Sequence, residues 1–131
     1  MKKLLLLSLL MMGIASASVG EHTKRMNTMK KLENGMETIL KGLMYNNKKI
    51  LLKGVDIVKE NTKDIKSFNI KNEEGKGFKR KKYAETEAKA IAVEAERIFK
   101  AFKKANRNRM LDSFRKLQNR CMSCHALIRE W

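Results

Sequence analysis

Apolar residues along this chain recur at steps of three and four. Met26, Met29, Met36, Leu40 and Leu43 mark one such stripe, so a segment from about Glu21 to Met44 is expected to be an amphipathic helix, slightly weakened by Gly35 and Gly42. After Asn46-Asn47, a turn and N-cap pair, Leu51, Val55, Val58 and Ile65 predict a second helix to about Phe68, with Gly54 inside it at modest cost. The stretch from Asn69 to Lys82 lacks a helical apolar period and is rich in Asn, Gly, Lys and Glu, so it is expected to be a mobile connection. A third helix is expected from about Tyr83 to Asn106, with Ala88, Ile91, Ala95, Ile98 and Phe102 on one face, and Asn106-Arg107-Asn108 breaks it. Met110, Phe114, Leu117, Cys121, Cys124 and Leu127 give a fourth the same period.

Four helices joined by two short loops and one longer one predict an all-α fold, an antiparallel up-down-up-down four-helix bundle. Composition agrees: the chain has no proline and many Lys, Glu, Ala, Leu and Met. The first residues change the picture of where it works. Lys2 and Lys3 precede an apolar run from Leu4 to Met12, and Ala15-Ser16-Ala17 offers a small-residue cleavage site, the order of parts in a secretory signal peptide. The apolar run is short for a membrane span. Residues 1–17 are therefore expected to be removed on export to the periplasm, leaving a single domain over 18–131.

The formal net charge is +16. In an exported protein this excess points to redox partners with acidic patches or to peripheral contact with an anionic membrane, because long-range attraction speeds encounter. Nucleic acid is not expected, since the lysines are spread over several helices and the chain carries an export signal.

The informative motif is Cys121-Met122-Ser123-Cys124-His125, the Cys-x-x-Cys-His pattern of covalent haem attachment. On a helix the two sulfurs fall on neighbouring positions of one face, where each can add to a haem vinyl group, and the adjacent imidazole can bind the iron axially. A redox dithiol, half of a zinc site and a disulfide are the rival readings. The dithiol expects a βαβ setting, and a zinc site lacks ligands, with His22 the one other histidine. One haem c is thus expected, joined through Cys121 and Cys124, with His125 on its iron.

Bundle geometry narrows the second axial position. The start of the first helix lies beside the end of the fourth, which brings Met29 level with His125. Met36 is two turns further on, about 10 Å along the axis, and fits core packing better, as does Met44. Met26, less than a turn away and rotated by about 60°, stays open. Phe99 and Phe102 are expected beside the haem pocket, although aromatic residues on such a face also serve as plain core.

A Cys-x-x-Cys-His on the last helix of an exported four-helix bundle resembles the cytochrome c′ family, the class II c-type cytochromes. The likeness runs through Cys121 to His125 followed by Arg129, and through Arg25-Met26-Asn27-Thr28-Met29. It implies that Met29 faces the distal side of the haem, that Arg129 lies close to the axial histidine, and that Arg25 lies near the propionates. Members with methionine at the distal position are low-spin electron carriers, whereas those with a non-ligating residue are five-coordinate and bind NO or CO. Members often dimerise through their first two helices, so a homodimer is among the forms the resemblance implies. The connection between the second and third helices departs from the family in lacking proline and Trp. The expected function is one-electron transfer through a His/Met iron with no catalysis of its own, and the alternative is a haem protein that binds NO or CO.

Overall fold

The computed structural model describes residues 2–72 and 77–129, and the side chains of 19–72 and 77–128. It is all-helical: α1 spans Lys2–Met44, α2 Lys48–Thr62, α3 Arg80–Lys103 and α4 Arg107–Arg129, with a 3-10 turn over Lys63–Ser67 continuing α2. No strand occurs among the described residues. The expected cleavage after Ala17 falls where side chains lie outside the described part, and the expected mobile connection does so in part, at residues 73–76.

The same turn closes both short loops. Asn46 and Ala105 adopt left-handed backbone, with φ of 48° and 50°. At the end of α1 the Asn46 and Asn47 N–H groups donate to Leu43 and Gly42 carbonyls, and at the end of α3 those of Ala105 and Asn106 donate to Phe102 and Ala101. Both are Schellman caps, which satisfy carbonyls that the helix end leaves unpaired. The following asparagine then caps the next helix: Asn47 Oδ1 accepts from the Lys49 and Ile50 N–H groups, and Asn106 Oδ1 from Arg109 N–H. None of α2, α3 and α4 carries an acidic residue in its first turn.

Two glycines set the distance between α1 and α2. A Cβ on Gly42 would lie 2.5 Å from the Leu51 backbone, and one on Gly54 would lie 2.5 Å from the Ile39 nitrogen. The apparent weak points of the sequence are therefore where the two helices touch backbone to backbone. Gly42 meets Leu51 and Gly54 meets Ile39, so the contacts run in opposite senses along the two helices. Glu87 with Arg120 begins the corresponding contact of α3 with α4, and Lys59 Nζ joins α2 to α3 at 2.7 Å from Glu96 Oε2.

The inward stripe of α1 differs from the expected one. Met29, Leu32, Met36, Ile39 and Leu43 pack against the core, stepping by three and four, whereas Met26 and Leu40 are exposed. Met44, expected to pack in the core, is 75% exposed because α1 ends there and the chain turns away. On α4 the core-facing residue of the last turn is Ile128, and Leu127 points outward. Reading steps from a run of neighbouring apolar residues took Leu40 for Ile39 and Leu127 for Ile128, each one position off, while Met29, Met36, Leu43, Phe114, Leu117, Cys121 and Cys124 face the core as expected.

Ile39, Leu51, Val55, Val58, Ile91, Ala95, Ile98 and Leu117 form the main core. A smaller cluster of Ile65, Phe68, Ala84 and Ala88 sits where the 3-10 turn meets the start of α3. Three seams of the assembly, α1 with α2, α2 with α3 and α3 with α4, close at Cα separations of 8 Å or less. Among the described residues no Cα of α1 comes that close to any of α4.

Two substitutions test these features with opposite signs. Gly54→Ala is expected to destabilise by about 1–3 kcal/mol through overpacking, although alanine is intrinsically the better helix former by about 1 kcal/mol. Ala105→Gly relieves left-handed backbone and is expected to stabilise by about 0.5–1 kcal/mol. Thermal unfolding followed by circular dichroism reads both; an unchanged Tm for Gly54→Ala would show that the helices can separate without loss.

Candidate functional site

The residues singled out by the sequence gather where α1 and α4 pack on the same two clusters, with no Cα pair between the helices within 8 Å among the described residues. Phe114, Leu117, Cys121, Cys124 and Ile128 step by three and four along the inner side of α4. Cys121 packs against the main core and Cys124 against the smaller cluster. One turn of helix therefore sets the two sulfurs at the junction of the two clusters. Met29, from α1, packs against that same smaller cluster. Met26, the other methionine near this level, is 42% exposed. His125 is partly buried and follows Cys124 directly.

Both thiols are free and neither has the character of a redox nucleophile. Burial, reinforced by the charges of Cys124 and Glu87, pushes the Cys121 thiol up to about 11. Burial first, and Glu87 second, also raises Cys124. A reactive dithiol needs the opposite, a thiolate stabilised by positive charge or a helix N-terminus. The sulfurs instead have what a thioether needs, an apolar setting and no call for charge.

Glu87 and Arg120 were not anticipated. Glu87 is buried on α3, and Arg120 Nη1 lies 3.2 and 3.3 Å from its two carboxylate oxygens, joining the helices one residue before Cys121. Arg120 Nε is buried without a partner among the described residues. Burial, then Glu87, raises the hydroxyl of Tyr83 as well, so one carboxylate acts on the phenol and on both thiols. A signal for it existed: Glu87 interrupts the stripe Ala84, Ala88, Ile91, and a carboxylate on a core-facing stripe demands a partner.

The remaining expected residues are less central. Arg25 is held 3.8 Å from Glu21 Oε1, and the same oxygen accepts the Asn69 N–H at 2.9 Å, tying α1 to the connection that follows the 3-10 turn. Arg129 ends α4, and its side chain lies outside the described residues. Phe99 and Phe102 pack against the main core, not against the smaller cluster shared by Met29 and Cys124, and Lys103 Nζ stands 5.2 Å from the Phe99 ring centre. Thr28, beside Met29, is buried, with Oγ1 3.5 Å from Asp64 Oδ2 on the 3-10 turn.

The donor set fits a covalently held haem. Two half-buried thiols face inward one turn apart, a histidine follows them, and a thioether from the facing helix reaches the same cluster beside a seam that the backbone does not close. No protein-family model, no curated protein and no solved structure matches this chain, so the chemistry of the site is read from its own residues.

Thiol reactivity is a direct check. In the folded chain with free thiols, Cys121 at pH 7.5 is ionised in on the order of one molecule in a few thousand. Alkylation by iodoacetamide is expected to be at least about tenfold slower than in denaturant, and to accelerate as pH rises toward 11. Rapid alkylation of the folded chain at neutral pH would return the redox dithiol to first place.

Proposed function

We propose that the protein is an exported monohaem c-type cytochrome that carries single electrons. The observation that carries this reading is the meeting of Cys124 on α4 and Met29 on α1 at one small apolar cluster, between helices with no Cα pair within 8 Å among the described residues. Cys121 and Cys124 would anchor the haem as thioethers, and His125 and Met29 would be its axial pair. Bound there, the group would supply a one-electron ferric/ferrous couple. The chain's own contribution is positioning and dielectric. Ile65, Phe68, Ala84 and Ala88 exclude water from that side of the seam, and an apolar setting with a thioether ligand favours the reduced, less charged state.

The proposed topology is the full up-down-up-down bundle closed around the haem, in the manner of the Met-ligated members of the cytochrome c′ family. Arg25 and Arg129 would be the cations nearest the haem, and the buried Glu87–Arg120 pair would fix how α4 is turned so that both sulfurs face inward. With no substrate bond made or broken, the partners are other redox proteins. The formal charge of +16, two lower once residues 1–17 are gone, favours acidic faces on them and periplasmic encounter. A second reading, a five-coordinate protein that binds NO or CO, rests on the packing of Met29 against the apolar cluster, which would hold the thioether there and not as a ligand.

Absorption spectra of the exported protein and of Met29→Ala, oxidised and reduced, with and without CO, separate the two. The electron-carrier reading expects a low-spin wild type indifferent to CO and a high-spin variant that binds it. Two proteins that both bind CO would make Met29 a packing residue and the gas-binding reading the better one.

A further inference from the structure

At the far end of α3 and α4 from the cysteines, a groove of about 540 Å³ opens beside the turn that joins the two helices. Arg97, Lys100, Lys104 and Arg109 line it, and so does Glu94. Lys116, a further cation there, is engaged 2.7 Å from Asp112. Glu94 is the unusual member, because the residue is only 2% exposed. Arg97 Nη1 donates to its Oε1 at 2.7 Å, while Oε2 is buried and accepts no hydrogen bond among the described residues. A buried carboxylate oxygen without a donor costs free energy that a ligand with a proton to give can recover.

The lining sets two demands at once. Lys104 and Arg109, with Arg97 paired to Glu94 and Lys100 3.9 Å from Glu96 Oε1, leave the groove with an excess of positive charge that suits a compact anion. The Glu94 oxygen asks for a hydrogen-bond donor on that same anion. No aromatic residue lines the groove, so a base or other flat ring has nothing to stack on. Sulfate meets the first demand and fails the second, since near neutral pH it has no proton and would set its lone pairs against those of Oε2. Monohydrogen phosphate, which keeps its last proton at neutral pH, meets both, and a phosphomonoester does so in its monoanionic form, the minor species above its second pKa of about 6.

We propose that this groove binds a phosphate group that retains a proton, and that Glu94 selects it over sulfate. The site is separate from the haem reading and does not rest on it: Arg109 and Cys124 lie fifteen positions apart on α4, about 22 Å along the helix. Free phosphate and the phosphomonoester headgroup of a lipid are the two sources of this chemistry.

The test is calorimetric titration of the purified, exported protein with sodium phosphate and with sodium sulfate at matched ionic strength. One saturable site is expected, with phosphate favoured by about ten- to hundredfold, the value of one hydrogen bond to a charged group. Glu94→Gln, whose amide can donate, is expected to bring the two anions level. Lys104→Ala, a change at an exposed position, is expected to weaken phosphate several-fold and to leave the helical circular-dichroism spectrum as it was. Equal binding of the two anions by the wild type, or phosphate binding untouched by Lys104→Ala, overturns the proposal even if Glu94→Gln does not fold. Vesicles of phosphatidic acid set against phosphatidylglycerol identify the source. A preference for the monoester that vanishes in Glu94→Gln assigns the lipid headgroup, and free-phosphate selectivity without that preference assigns the soluble anion.

Discussion

The close approach of α1 and α2 is the constraint on which the rest of the structure depends. With no side chain at Gly42 and Gly54, the two backbones come together over Leu51 and Ile39, and side chains that would have spaced them do not intervene. The C-terminal part of α1 is thereby committed to α2. α2 also packs on α3, and α3 on α4, with backbones close at each seam, while among the described residues no Cα atoms of the first and last helices come within 8 Å. Side chains bridge that fourth seam, since Ile39 and Leu117 are fully buried in one core. The site is a product of packing elsewhere as much as of the residues that line it.

Around the cysteines burial does most to oppose ionisation, and a single carboxylate adds to it at three groups. Glu87 is buried on α3, held by Arg120 from α4, and its charge opposes ionisation of Tyr83, Cys121 and Cys124. Removing one partner of such a pair leaves the other buried and uncompensated, which costs far more than the pair contributes when intact. The neighbourhood of the cysteines therefore disfavours the thiolate at both positions. Those are the conditions under which a thiol serves as a point of attachment and not as a reagent.

Much of this architecture was legible in the sequence because helical packing writes a strong period. The α2 stripe of Leu51, Val55, Val58 and Ile65 is buried throughout, and Asn46-Asn47 is a turn followed by a cap. The second turn was harder to place, because Ala105 occupies a left-handed position where glycine is usual. α1 was misread in detail: its run holds more apolar residues than one face can bury, so Met26, Leu40 and Met44 competed with Leu32 and Ile39, and only the glycine contacts decide between them. The Cys121 to His125 motif and Met29 were legible because their spacing has chemical meaning. Arg120 and Glu94 were not, since charged residues on helices are usually solvated, and Glu87 left only its interruption of the α3 stripe as a signal.

The first turns of three helices bear on how the molecule responds to its surroundings. α2 opens on Lys48 and Lys49, α3 on Arg80, Lys81 and Lys82, and α4 on Arg107 and Arg109, with no carboxylate among them. Each helix thus sets positive side chains against the positive end of its own macrodipole, an arrangement that opposes folding by a few tenths of a kcal/mol to about 1 kcal/mol per charge. Small ions screen such self-repulsion, and a negatively charged face replaces it with attraction. The fold is therefore least at ease alone in dilute buffer, and its stability and its appetite for anionic company have a common origin.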